Sequence, residues 1–190
     1  MAKKDDIVFE AVVKSNSLAN VMDLTIPVLD GFVVQQNIKI NSKHIFVATK
    51  DGAIEQFLTD GTLADGEDFE ERVEKVLNGV RREVRNNPLY AGNGRYLDFY
   101  KFHKNNLFNF KLYVQDIIID KTHFVRQMNA YFIEPKSNEF CQLSLSIGQY
   151  LRSEFKLLRE MDDYKQDVLI KSLEEAMVLI MDNIVYDYSE

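Results

Sequence analysis

The sequence is poor in the residues from which disulfide scaffolds, metal centres and membrane spans are built. Cys141 is the only cysteine among 190 residues, and tryptophan is absent. A single thiol excludes an internal disulfide and any cysteine-based metal cluster within one chain. The first apolar run, Ile7-Val-Phe9, is too short for the core of a secretory signal and far too short for a membrane span. A reducing, cytoplasmic setting without membrane contact is the expectation. The three histidines, His44, His103 and His123, share no short metal-ligand spacing, and no His-Glu-x-x-His pattern occurs. Gly92-Asn-Gly94 does not join a strand to a helix, and no Gly-Lys-Ser/Thr follows it, so the glycines make no phosphate-binding loop. No cofactor and no metal are expected. Internal repeats, low-complexity segments and linkers are also lacking, which leaves one domain spanning residues 1–190.

What is present builds a core. Hydrophobic residues make up 46% of the chain, including 13 Phe and 9 Tyr, enough for a packed domain without covalent staples. The net charge is −7, and it is concentrated. From Glu154 to Glu190 ten acidic residues face four basic ones, so nearly all the imbalance lies in the last fifth. Such a surface repels polyanions and favours a basic protein partner over nucleic acid.

Hydrophobic periodicity divides the chain into strands and two helices. Ile7–Val13 reads as a short strand and Ser15–Asn20 as a polar turn. Apolar Met22–Leu29 runs into the Asp30-Gly31 turn, followed by strands at Phe32–Ile40 and His44–Thr49. Asp51-Gly52 predicts a tight hairpin with Ala53–Leu58 returning. The period then lengthens. Phe69, Val73, Val76, Leu77, Val80 and Val84 form a helical stripe near 67–86, with Asp65 as its cap and Asn86-Asn87-Pro88 as its stop. Leu89–Gly94 reads as a loop and Tyr96–Phe102 as a strand. Phe108–Ile119, Phe124–Glu134 and Glu139–Ile147 are joined by connectors too short for crossover helices, hence an antiparallel meander. In the last of these, Cys141, Leu143, Leu145 and Ile147 face the core and Gln142, Ser144 and Ser146 face solvent or a partner. Leu151–Leu158 is open between strand and helical turn. A long amphipathic helix near 164–186 carries Leu169, Leu173, Ala176, Met177, Ile180 and Ile184.

Several residues are candidates for chemistry. Cys141, on an apolar strand face, is read as a small hydrophobe rather than a nucleophile. Asp116 shares a strand face with Leu112, Val114 and Ile118. It is either a carboxyl of raised pKa suited to acid–base work or, the preferred reading, a bulge residue turned to solvent. Arg126 alternates with Phe124, Met128 and Phe132, its stem covering apolar surface while the guanidinium emerges. Were Asp116 and Arg126 cross-strand neighbours, they would form a pair that specifies register. A spatially assembled, hydrolase-like active site would draw on Asp116, His103 and His123. A small-molecule site would draw on Tyr96, Tyr113, Arg126 and Tyr131. Arg81, Arg82, Arg85 and Arg95, near Tyr90 and Tyr96, read as a charged helix end rather than a nucleic-acid patch.

The meander at Phe108–Ile147 and the terminal helix at Leu169–Ile184 together resemble the Mog1/PsbP-like α/β/α sandwich group. The resemblance implies an α+β fold, a mostly antiparallel sheet packed by an internal and a C-terminal helix. It brings no residue motif that would carry a role across. With no sequence-local chemistry, the leading expectation is a non-catalytic protein-interaction or accessory domain that uses a sheet face or edge. Small-molecule binding and a spatially assembled enzyme are the alternatives, and oligomeric state is open.

Overall fold

A computed structural model of the protein describes residues 13–21, 24–41, 43–88, 97–104, 108–146, 150–151, 153 and 168–186, with backbone alone described at 13–21, 84, 97–103, 168 and 186. In chain order the elements are β1 (Val13–Val21), β2 (Leu24–Leu29), β3 (Val33–Ile40), β4 (Lys43–Lys50), β5 (Ala53–Thr62), α1 (Phe69–Asn86), β6 (Leu97–Lys104), β7 (Asn109–Ile118), β8 (His123–Glu134), β9 (Glu139–Ser146), β10 (Tyr150–Leu151), α2 (Val168–Asp182) and β11 (Val185–Tyr186). The main sheet runs β3-β4-β5-β9-β8-β7-β6, with β10 added to β8, and a small sheet runs β1-β2-β11. Every strand pair is antiparallel.

The hairpins follow from turn chemistry. Asp51 (φ 49°) and Gly52 (φ 85°) both adopt left-handed backbone, the conformation that matches strand twist in a two-residue turn. Gly31 (φ 80°) does the same after β2, where the Phe32 N–H donates to the Leu29 carbonyl at 3.0 Å. At the start of α1 the Asp68 carboxylate, not that of Asp65, accepts the Glu71 N–H at 2.8 Å. Asp68 stands immediately before the first helical residue, where its oxygen reaches the third helical N–H, and Asp65 is one turn too early.

Two layers cover the sheet. The apolar face of α2 (Leu169, Leu173, Ala176, Met177 and Ile180) is buried with β2 against Phe46, Phe57, Phe132 and Leu143. On the opposite face α1 sets Val73 and Leu77 against Tyr113, Tyr131 and Phe140. Arg72 fastens α1 to the end of β5, donating to the carbonyls of Asp60 (3.1 Å) and Thr62 (3.2 Å) and to the Glu67 carboxylate (2.7 Å). Through those bonds from Arg72, then Lys75, the Glu67 carboxyl is held down to about 2.

Several expectations are corrected. Ser15–Asn20 is not a turn but part of β1, and its polar residues have a local consequence. Between Val13↔Leu29 and Leu18↔Pro27 the register slips, so the extra residues bulge out while the strand continues. The terminal helix ends at Asp182, and Val185–Tyr186 pairs with β2 instead of prolonging it. Ser144 and Ser146 are buried rather than solvent-facing. The expected strand at Ile7–Val13 (except Val13 itself), Met22, the Val84 side chain, the loop at Leu89–Gly94, Tyr96, Ile147 and most of Leu151–Leu158 lie outside the described residues.

The largest correction concerns Asp116. No bulge occurs there, because β7 and β8 pair without interruption from Lys111↔Tyr131 to Ile118↔Phe124. Asp116 lies directly opposite Arg126, and both are essentially inaccessible (1% and 0% exposed). The guanidinium does not emerge. Its Nε donates to Asp116 Oδ1 at 2.8 Å and its Nη2 to Oδ2 at 3.1 Å, while its plane lies over Phe124, 5.3 Å from the ring centroid. Two-point pairing satisfies both charges at once, so burial prevails over exposure at this site. Replacing Asp116 with Ala strands a buried cation. We expect a loss of about 3–5 kcal/mol in denaturant unfolding, whereas a loss below about 1 kcal/mol would mean that water reaches the guanidinium.

Candidate functional site

Among the described residues β3 forms one border of the main sheet and pairs with β4 alone. All eight of its residues are exposed, including Val33 (62%), Val34 (44%), Ile38 (41%) and Ile40 (51%). An edge strand presents every second N–H and C=O away from its neighbour, ready to pair with another chain. Natural edges are commonly blunted by charge, proline or brevity. This one has no proline and one charge, Lys39; its other irregularity is a register shift between Val34 and Gln36.

The edge continues into a sheet face that α1 does not fill. Register sets Ile38 beside Ile45, Leu58 and Gln142, and Gln36 beside Val47, Gln56 and Ser144. None of these side chains is charged, and the next row, at Ile40, carries the exposed Lys43–Asp60 ion pair. Further in, Gln142 Nε2 donates to Ser144 Oγ at 2.9 Å and Ser144 Oγ to Asn129 Oδ1 at 2.7 Å, so the polar groups satisfy one another. Aliphatic and amide groups without charge suit contact with a protein backbone and side chains, not with phosphate.

The residues named for catalysis do not converge. Asp116 is closed off by Arg126. His103 pairs through its backbone with Phe110, six positions along β7 from Asp116, or about 20 Å at the rise of a strand. His123 begins β8, and its Nδ1 lies 2.8 Å from Thr122 Oγ1 and 3.2 Å from Asp120 Oδ1 in a surface turn. Hydrogen bonds from the Thr122 backbone and hydroxyl hold the Asp120 carboxyl down to about 2. His44 lies on β4, across β5 and β9 from β8. Cys141 is buried, and desolvation with the nearby Glu139 and Glu134 carboxylates pushes its thiol up, opposite to what a nucleophile needs. No group of three or more His, Cys, Asp or Glu side chains among the described residues could hold a metal.

The residues named for ligand contact are packed. Tyr113 and Tyr131 lie under α1 with ring centroids 5.8 Å apart, and Tyr131 stacks on Phe140 at 5.7 Å. Burial, with Tyr113 beside it, pushes the Tyr131 phenol up. Arg126 belongs to the buried ion pair, and Tyr96 lies outside the described residues. The acidity of the C-terminal region reappears on α2, where Glu174, Glu175 and Asp182 border a shallow groove floored by Val178 and Leu179. No helix among the described residues is long and apolar enough to cross a membrane.

Glu55 and Glu134 are buried acids that no motif marks in the sequence, although the alternation of Glu55 with Ala53, Phe57 and Thr59 points it to the core. Glu55 is wholly inaccessible on the α2 side of β5. Its Oε1 accepts the Leu29 N–H at 2.9 Å, while Oε2 is buried without a hydrogen-bond partner. Desolvation raises its carboxyl to about 8, only partly offset by the Leu29 bond.

No protein-family model and no curated protein sequence matches the chain. Solved structures do. The crystal structure of the Saccharomyces cerevisiae Ran-binding protein Mog1p superposes with a TM-score of 0.55 at 8% identity, covering 94% of this chain and 97% of that one. A mutant of the protein Mog1 gives 0.54 at 9% identity, covering 90% and 96%. The fold is therefore α+β, an antiparallel sheet with two helices in the Mog1/PsbP-like layout, and at these identities the likeness shows the fold alone.

Glu55 gives a test of the core geometry. Its raised pKa means that the stability it contributes is complete below about pH 4.5 and is lost as pH climbs to about 8. In Glu55→Gln the amide reproduces the protonated acid. The thermal midpoint of the native chain should fall between pH 5 and 9 while that of the variant stays flatter and higher at pH 8; parallel curves would show that Glu55 is hydrated.

Proposed function

We propose that the chain is a non-catalytic protein-interaction or accessory domain, and that β3 with the uncharged face beside it is its contact surface. The observation that carries this reading is the eight-residue strand exposed on both faces, with four large aliphatic side chains more than 40% accessible. Isolated exposed aliphatics are ordinary, but a run of them on an edge that no second described strand covers is costly to solubility unless it is used. The architecture it shares with a protein described as Ran-binding supports a binding role, without supplying the partner. The acidic border of the α2 groove favours a partner with basic surface. The lone buried thiol suits a reducing, cytoplasmic compartment.

Affinity capture from native extract at low and high salt tests this, with the native chain compared against a double variant, Ile38→Lys and Ile54→Lys. Both positions are exposed, at 41% and 39%, so the variant should keep its thermal midpoint. Proteins retained by the native chain should drop about tenfold or more on the variant, and part of the binding should weaken with salt. Equal recovery on both chains would place the contact surface elsewhere.

A further inference from the structure

We propose that the occupant of the β3 edge is β3 of a second copy of this chain, paired antiparallel about a two-fold axis at Ile38. The proposal rests on the reading of β3 as the contact edge and adds the identity of what binds there.

The register follows from three observations. First, the irregularity between Val34 and Gln36 leaves Gln36–Ile40 as the regular part of the strand. Second, side chains must keep to their own faces across a new strand pair. The pairing of β3 with β4 puts Gln36, Ile38 and Ile40 on the α1 side and Asn37 and Lys39 on the α2 side, so the axis must pass through a residue, not between two. Third, an axis through Lys39 would set two cations face to face, which destabilises a pair, and one through Asn37 would pull the irregular Gln35 into the ladder. A centre at Gln36 would also draw in Gln35, and one at Ile40 would run into the left-handed turn at Asn41, which leaves Ile38. There Ile38 meets the second copy's Ile38, Gln36 meets Ile40, and Lys39 meets Asn37, with no like charges opposed.

This register continues a feature already present within one chain. Leu58, Ile45 and Ile38 form an aliphatic row across β5, β4 and β3 that ends in the open at Ile38. Pairing at Ile38 joins two such rows into one band and buries the side chains at its centre. The strand has one charge in eight residues, while each chain carries −7 overall, so β3 is a border where two copies meet with little local repulsion.

Sedimentation velocity of the full chain from about 1 µM to about 500 µM should show a shift from the mass of one chain towards twice that mass. Ile38→Lys and Ile38→Glu should each weaken self-association about tenfold or more by setting like charges opposite each other, and an equimolar mixture of the two should restore it. Restoration requires residue 38 of one copy to face residue 38 of the other. Should either lysine or glutamate disturb folding, Ile38→Cys gives the same information, as mild oxidation should join two chains at position 38 while Cys141 stays buried. A chain that remains monomeric throughout, or one whose self-association survives both charged substitutions, overturns the second-copy assignment. If captured proteins still depend on Ile38 in that case, the contact-edge reading survives; if they do not, both fail.

Discussion

The register between β7 and β8 is the constraint on which the rest of the molecule depends, and the Asp116–Arg126 pair is the interaction that fixes it. These strands sit within the sheet, flanked by β6 and β9, so their alignment is passed to every neighbour. A slip of one residue would turn Phe110, Leu112 and Val114 away from α2 and bring Lys111, Tyr113 and Gln115 in their place. Aliphatic residues alone would tolerate that slip more readily than a buried cation and anion do, because only one alignment pairs the charges. The pair is costly to desolvate, and its contribution is better understood as specificity of alignment than as net stability.

From that register the two faces acquire different characters. The α2 side is closed by phenylalanine and aliphatic packing, with Phe132 4.8 Å from Phe110 and 4.7 Å from Phe108 between ring centroids. Among the described residues the α1 side is closed where Tyr113, Tyr131 and Phe140 meet the helix. Towards β3 the cover gives way to uncharged aliphatic and amide groups. The charged pair serves alignment, the Cys141 thiol serves packing, and Tyr113 and Tyr131 lie under α1. Among the described residues β3 is left as an exposed edge, the surface on which the proposed binding role rests.

Much of this was legible in the sequence. The meander, both helical stripes and the Asp51-Gly52 hairpin follow from periodicity and turn chemistry, which are local, and the Mog1/PsbP-like layout entered as a resemblance. The possible partnership of Asp116 with Arg126 was visible too, but its burial was not, because pairing energy depends on a register that no single strand encodes. The same limit hid the edge. Val33-Val-Gln-Gln-Asn-Ile-Lys-Ile40 reads as a strand of either kind, and only the order of strands in the sheet separates a border from an interior position. Tyr113 and Tyr131 looked equally suited to a core or an interface, and α1 decided between them. Ser15–Asn20 misled because turn-forming residues also populate bulges.

The central claim is that β3 is an open border of the main sheet, and amide hydrogen exchange resolved by residue measures this directly. In dilute chain the amides of β8 should be the most protected. Along β3, protection should alternate, with amides bonded to β4 slow and those pointing outward fast. Uniformly slow exchange along β3 at dilution would mean that the edge is already covered within one chain, and would contradict the account.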